Sequence, residues 1–221
     1  MKNIERYIDH TLLKPDATKE MIVRLCEEAK EYNFYSVCIN LYYVNLCRKL
    51  LKGSDIKICT VIGFPLGASG LASKVCEARY AIENGAEEID MVINLGALKS
   101  KEYNDVSNEI LSVYKEVKSK ALLKVIIETC LLNDDEKRKA CRLAVDAGAD
   151  FVKTSTGFSS GGATVKDIML MKEAVNDRCK VKASGGIRCL EDFENMISAG
   201  ADRIGASSSV NILKEFYEKY K

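Results

Sequence analysis

The sequence predicts an α/β protein, a single (β/α)8 TIM barrel over residues 1–221, on three observations. Short β-branched runs alternate with longer segments whose apolar residues recur at three and four, and the alternation never lapses, as a parallel sheet requires. Three helices close on nearly the same phrase before a strand: NGAE at 84–87, AGAD at 147–150 and AGAD at 199–202. Gly85, Gly148 and Gly200 suit the left-handed position just past a helix end. Glycine-rich turns gather behind the late strands, whereas an open dinucleotide-binding sheet places GxGxxG after its first.

The first strand is read at 7–12, and the segment behind it, KPDAT, has no glycine, so the open doubly wound alternative lacks its phosphate loop. Strands at 36–39, 56–62 and 88–93 follow, each with a helix-compatible segment after it. A fifth is placed at 122–128. Behind it NDDE at 133–136 resembles a capping box, with an acidic third residue facing the helix start. The sixth, at 150–154, runs into Gly157 and then Gly161-Gly162 before a second such box, TVKD at 164–167. The seventh, at 181–184, is followed by Gly185-Gly186, and the eighth, at 203–206, contains Gly205. Barrels commonly bind phosphate after strands seven and eight, which agrees with this distribution.

Composition narrows the function classes. With 33 Lys+Arg against 32 Asp+Glu the formal charge is +1, which argues against a nucleic-acid or membrane-surface partner. At 47% hydrophobic and 29% charged the chain is too apolar to be disordered, and no run approaches 18 continuous apolar residues. The opening MKNIERYIDHT carries charges where a signal peptide needs an apolar stretch. Nine cysteines without a CxxC spacing suggest neither a disulfide framework nor a redox pair, and a single histidine argues against zinc. Most sit among aliphatic residues as small hydrophobes, so a reducing cytoplasmic setting is expected.

Barrel strands send alternate residues into a packed interior, where an ionisable group is costly unless paired or shifted. Asp90 in EIDMVIN, Lys153 in DFVKTSTG and Lys182 in VKASGGIR therefore stand out. One reading has the lysines snorkel to the rim and Asp90 form a structural ion pair. Lys124 in LLKV is given that reading, because it comes early in its strand with no glycine-rich turn behind it. The other reading is chemical: Lys153 and Lys182, on adjacent strands, would meet at the catalytic face. A second ammonium ~4 Å away adds ~4 kcal/mol of repulsion at an effective dielectric of ~20, which favours a neutral, nucleophilic amine. A carboxylate acts in the opposite sense, so Asp90 belongs with proton handling.

Phosphate is the second inference. Gly185-Gly186 and Ser207-Ser208-Ser209 offer backbone N–H groups, hydroxyls and a helix N-terminus to a dianion, although the same residues also make ordinary turns and caps.

These residues fall in phrases that resemble the deoxyribose-phosphate aldolase family, in order along essentially the whole chain. The phrases are IDHTLLK at 8–14, SVCIN at 36–40, TVIGFP at 60–65, EIDMVIN at 88–94, ET at 128–129, FVKTSTG at 151–157, VKASGGIR at 181–188 and RIGASS at 203–208. The resemblance implies a class I aldolase that cleaves 2-deoxy-D-ribose 5-phosphate to acetaldehyde and D-glyceraldehyde 3-phosphate, with no metal or organic cofactor. Lys153 matches the Schiff-base lysine, Lys182 the second lysine that keeps it nucleophilic, and Asp90 the carboxylate of the proton relay. Asp9, Thr11 and Cys38 match positions lining the sugar site, while His10 is expected to brace the first strand. Phosphate would rest on Gly157, Gly185, Gly186, Ser207 and Ser208. The chain departs from the pattern at Phe158, where some members carry lysine, and at Ser209, where glycine is common. A homo-oligomer, dimer or tetramer, is implied. Two rivals stay open: another Schiff-base aldolase or transaldolase, and a non-catalytic phosphosugar-binding barrel.

Overall fold

Each strand presents aliphatic residues at alternate positions, so one side of the sheet demands a cover and helices supply it. The computed structural model describes residues 3–220. Its strands are β1 Ile8–Leu12, β2 Ser36–Ile39, β3 Lys57–Ile62, β4 Glu88–Val92, β5 Leu122–Ile126, β6 Phe151–Lys153, β7 Lys180–Ser184 and β8 Arg203–Ala206. They pair in parallel in sequence order, and β8 returns to β1 through Asp9 opposite Gly205, closing the barrel. The helices are α1 Lys19–Tyr32, α2 Val44–Leu50, α3 Leu71–Asn84, α4 Leu95–Lys99, α5 Tyr103–Val117, α6 Asp134–Asp146, α7 Val165–Val175, α8 Leu190–Ser198 and α9 Ser209–Lys219.

The core lies between sheet and helices. Ile8, Val37, Ile58, Ile89, Val125, Val152, Val181 and Ile204 from the strands join Ile22, Ala78, Ile110, Ile168 and Phe193 from the helices in one contiguous cluster. Residues of the opposite parity face the barrel axis, where the apolar cluster is small: Leu13, Cys38, Cys59 and Val61, with Phe64 against them. Beside these and a few residues such as Ser36, Val92, Ile126 and Phe151, the interior holds a cluster of charged side chains.

Several expected boundaries shift for local reasons. Strand β5 stops at Ile126, two residues early, because Glu128 takes a left-handed conformation (φ 51°) and the chain turns into a short 3-10 helix at Thr129–Leu131. The box at Asn133 forms in full: its side chain accepts the Glu136 N–H, and Glu136 accepts the Asn133 N–H. Only half of the second box forms. Thr164 accepts the Asp167 N–H at 3.1 Å, but the Asp167 carboxylate pairs with Lys137 at 2.6 Å, tying α7 to α6. The three repeated joints are as expected, with φ 106° at Gly85, 97° at Gly148 and 106° at Gly200.

Candidate active site

Seven ionisable side chains fill the axis of the barrel, each at most 5% exposed: Asp9, Glu88, Asp90, Lys124, Lys153, Lys182 and Arg203. They come from six strands, and register explains their meeting, since Asp90 lies opposite Lys124, Lys153 opposite Lys182 and Lys182 opposite Arg203. Asp90 Oδ2 accepts from Lys153 Nζ at 2.7 Å and Lys182 Nζ at 2.9 Å, while Oδ1 accepts from Lys124 Nζ at 2.7 Å and the Cys59 thiol at 3.1 Å. Lys182 also donates to Asp9 Oδ2. Asp9 Oδ1 takes Ser36 Oγ and Arg203 Nη1, each at 2.7 Å. Arg203 then reaches Glu88 at 3.4 Å, and Glu88 pairs with Lys124 at 2.7 Å.

These contacts form a closed ring of alternating sign: Asp90, Lys182, Asp9, Arg203, Glu88, Lys124 and back to Asp90. Three carboxylates balance three cations. Lys153 hangs from the ring through Asp90 alone. Burial by itself would raise the carboxyls of Asp9 and Asp90, but the surrounding lysines and, for Asp9, Arg203 outweigh it and hold both below the usual carboxylate range. Burial likewise opposes the charge of Lys182 and Lys124, and the carboxylates around them reverse that, holding both above the ordinary lysine value. The pairing thus favours the charged forms of Asp9, Asp90, Lys124 and Lys182. Lys153 stands outside that balance and is joined to it by Asp90.

This geometry corrects two expectations. Lys153 and Lys182 do not face each other as bare ammonium groups: Asp90 Oδ2 stands between them, so the ~4 kcal/mol repulsion of an isolated pair is largely offset. Lys124 does not snorkel. It is fully buried beneath Asp90, with its ammonium within 3.2 Å of Cys59 and 2.7 Å of Asp90 and Glu88, where it occupies the space between acidic and thiol groups spaced closely enough to hold a metal ion.

Above Lys153 a cavity of about 370 Å³ opens at the C-terminal ends of the strands, lined by Thr11, Lys14, Lys153, Thr156, Gly157, Phe158, Ser184, Gly185, Gly186, Arg188 and Ser207. Thr11, Gly157, Gly185, Gly186 and Ser207 thus share one cavity with Lys153. Asp90 and Lys182 lie beneath its floor. Asp9 and Cys38 are fully buried and do not line it: Asp9 is held in the ring, and Cys38 packs with Leu13, Cys59 and Val61. Among the described residues, the N–H groups of Gly157, Gly185, Gly186, Ser207 and Ser208 bond to no other backbone group, leaving donors from three loops. Arg188 and Lys14 place cations at the same rim, which sequence reasoning did not find. Phe158 packs edge-on to Phe64 (5.3 Å between centroids), so two loops share an aromatic wall. Ser209 is buried and its hydroxyl donates to Ala206 O at 2.8 Å, closing the turn before α9. His10 lies against Phe34 and shares a 3.0 Å hydrogen bond with Glu28, joining β1 to α1 as a brace. A second cavity of similar volume lies at the other end of the barrel, around Tyr35, Lys57, Glu87 and Asp150, away from Lys153.

Known proteins resemble this chain over nearly its whole length. A deoxyribose-phosphate aldolase of Lysinibacillus sphaericus is 60% identical over 212 residues, covering 96% of this chain and 95% of that protein. One of Clostridium tetani is 57% identical over 212 residues, covering 96% and 98%. The tetrameric deoxyribose phosphate aldolase of Aeropyrum pernix superposes with a TM-score of 0.90 at 37% identity, covering 96% of this chain and 90% of its own. Residues 5–217 match the family described as DeoC/LacD family aldolase, and the chain belongs to that family.

Proposed function

We propose that this chain is one catalytic domain that reversibly cleaves 2-deoxy-D-ribose 5-phosphate to acetaldehyde and D-glyceraldehyde 3-phosphate, in the catabolism of deoxyribose and deoxynucleosides. The observation that carries the reading is Lys153, a single amine outside a balanced ion ring, beneath a cavity rimmed by unpaired N–H groups. The neutral amine attacks C1 of the open-chain sugar, and loss of water from the carbinolamine gives an imine. The imine draws the electrons of the C2–C3 bond as it breaks, while the C3 hydroxyl loses its proton and leaves as the aldehyde of glyceraldehyde 3-phosphate. Protonation at C2 and hydrolysis then release acetaldehyde and restore Lys153. Asp90 touches both lysines, which supports a role in carrying protons to and from the carbinolamine oxygen and, through water, the C3 hydroxyl. Lys182, held charged by Asp9, supports Lys153 as a fixed cation beside the developing imine. Thr11 would meet the sugar, whereas Asp9 and Cys38 would act from behind the wall. Gly157, Gly185, Gly186, Ser207 and Ser208 would receive the phosphate, with Arg188 as the cation that Phe158 does not supply.

Nine free thiols, six of them buried, support a reducing cytoplasmic setting, and we place the chain in a homo-oligomer of the kind its tetrameric relative forms. Borohydride reduction in the presence of acetaldehyde, followed by peptide mapping, tests the mechanism. An ethyl group on Lys153 is expected, and labelling on Lys182 would reverse the two roles. Turnover with dihydroxyacetone or pyruvate in place of acetaldehyde would favour another Schiff-base aldolase; binding of the sugar phosphate with neither trapping nor turnover would favour a regulatory barrel.

A further inference from the structure

Glu128 is a buried carboxylate with no cation paired to it among the described residues, 2% exposed, on a backbone in the left-handed region at φ 51° and ψ 67°. A non-glycine residue adopts that conformation only where its surroundings hold it there, and a buried anion persists only where donors satisfy it. Both conditions are met by one residue on the loop after the neighbouring strand, β6. The Thr156 N–H lies 3.2 and 3.3 Å from the two Glu128 oxygens, and the Thr156 hydroxyl donates to Oε2. Thr156 Oγ1 in turn accepts the Phe158 N–H at 3.1 Å. The chain of bonds therefore runs from Phe158 through Thr156 to Glu128 and spans Gly157, whose φ of 84° leaves its own N–H without a backbone partner at the cavity.

The same turn is held from the β7 side by neutral groups. Ser184 Oγ donates to Ser155 O at 2.6 Å, and Thr154 Oγ1 donates to Ser184 O at 3.0 Å. Those bonds fix residues 154–155, which follow Lys153, but stop short of Gly157. Among the described residues, the side-chain hydrogen bonds that tie the 156–158 turn to another strand's loop are those to Glu128, beside the packing of Phe64 on Phe158. A carboxylate suits that task because two donors on one residue meet two acceptor oxygens, and charge-assisted bonds of this kind are short and strong.

We propose that Glu128 is a positioning residue that acts through Thr156 to pre-organise the 156–158 turn, and with it the Gly157 N–H, for the phosphate group of the substrate. The proposal rests on the aldolase reading, and its consequence is selective. Losing Glu128 disturbs the phosphate end of the cavity while Lys153, Asp90 and Lys182, to which it makes no bond, keep their contacts. Glu128 is thus a determinant of the preference for a phosphorylated over an unphosphorylated sugar.

The test compares kcat and KM for 2-deoxyribose 5-phosphate and for 2-deoxyribose in the wild type, Glu128→Gln and Glu128→Ala, together with inhibition by inorganic phosphate. The wild type must first turn over the phosphorylated sugar; if it does not, the aldolase reading fails, and this inference is judged on phosphate binding alone. Glu128→Ala is expected to raise KM for the phosphorylated sugar and the inhibition constant for phosphate by about 10- to 100-fold, the scale of a small misplacement of binding groups. Values for 2-deoxyribose are expected to change by less than about threefold, and Glu128→Gln, which keeps one acceptor oxygen, falls between. Should Glu128→Ala fail to fold, Glu128→Gln carries the same comparison. Equal losses on both sugars, or no change in phosphate inhibition, would overturn the proposal and leave Glu128 a general structural residue.

Discussion

Arg203 touches nothing that reacts, yet three contacts make it a structural keystone of the ion ring: Asp9 at 2.7 Å, Glu88 at 3.4 Å and the face of Tyr35 at 3.5 Å. Arg203→Met would leave Asp9 and Glu88 buried with one cation fewer, and breaking a buried pair from one side costs about 3–5 kcal/mol. Arg203→Met combined with Glu88→Gln removes one charge of each sign and leaves the opened ring balanced. Urea unfolding of both single variants and the double is therefore expected to give a double-variant loss smaller than the sum by more than about 1 kcal/mol. Strict additivity would mean that the two charges do not feel each other. Sequence made Asp90, Lys153 and Lys182 visible because charges within strands that otherwise read as buried have few ordinary explanations. Glu88 and Arg203 begin their strands, where a charge reads as a rim residue facing water. The available signal was parity: Glu88 lies two residues from Asp90 and must face the same side of the sheet.

Helix ends were the most legible elements, because capping chemistry is local. The box at Asn133 satisfies two orphan donors at the start of α6, and Asn133→Ala is expected to lower stability by about 1 kcal/mol in thermal or urea unfolding. Asn133→Ser retains an acceptor and should recover most of that loss; if serine is as damaging as alanine, the cap is not the cause. The half-formed box at Thr164 shows where local reading stops, since Asp167 is taken by Lys137 of the neighbouring helix. The same holds for Lys74 of α3. In an amphipathic helix it reads as a solvated charge, yet it is fully buried, paired with Glu109 of α5 at 2.7 Å and donating to Gly67 O and Val92 O at 2.8 Å each. It fastens the loop between β3 and α3, which carries Phe64 against Phe158 of the cavity lining. The early end of β5 was equally hidden: LLKVII holds no turn residue, and nothing beside Glu128 announces a left-handed turn whose partner, Thr156, lies 28 residues on.

Closure of the barrel is the step no single segment reveals, although glycine-rich turns behind the late strands made it the better of two parallel architectures. Only closure brings Asp9 to Arg203, 194 residues away, and completes the ring. Burying so many ionisable groups also sets how the whole molecule answers to pH. Asp9 and Asp90 have folded values below the ordinary carboxyl value, so their contribution is present above about pH 4 and is lost as pH falls through the lower folded values. Lys124 and Lys182 have folded values above the ordinary lysine value, so theirs is complete below about pH 10 and is lost as pH rises through the higher folded values. The thiols respond first on the alkaline side. Burial pushes Cys141 up to about 12 from 9.0, and burial assisted by Asp150 does the same for Cys179, so the unfolded chain releases protons that the folded chain retains. Their contribution is complete below pH 9 and is lost between about 9 and 12. Burial lowers His10 from 6.5, so its contribution is lost as pH falls below that value; stability should therefore be level from about pH 7 to 8, ease off on the acid side, and decline from about pH 9, before the lysines titrate. Urea midpoints from pH 5 to 11 under reducing conditions would check this in the wild type and in the Cys141→Ala/Cys179→Ala variant. The variant should be less stable throughout, because two core side chains are cut back, but its alkaline decline should be shallower. An identical slope in both would assign the alkaline limb to other groups, the raised Cys47 and Cys59 thiols and the lysines of the ring.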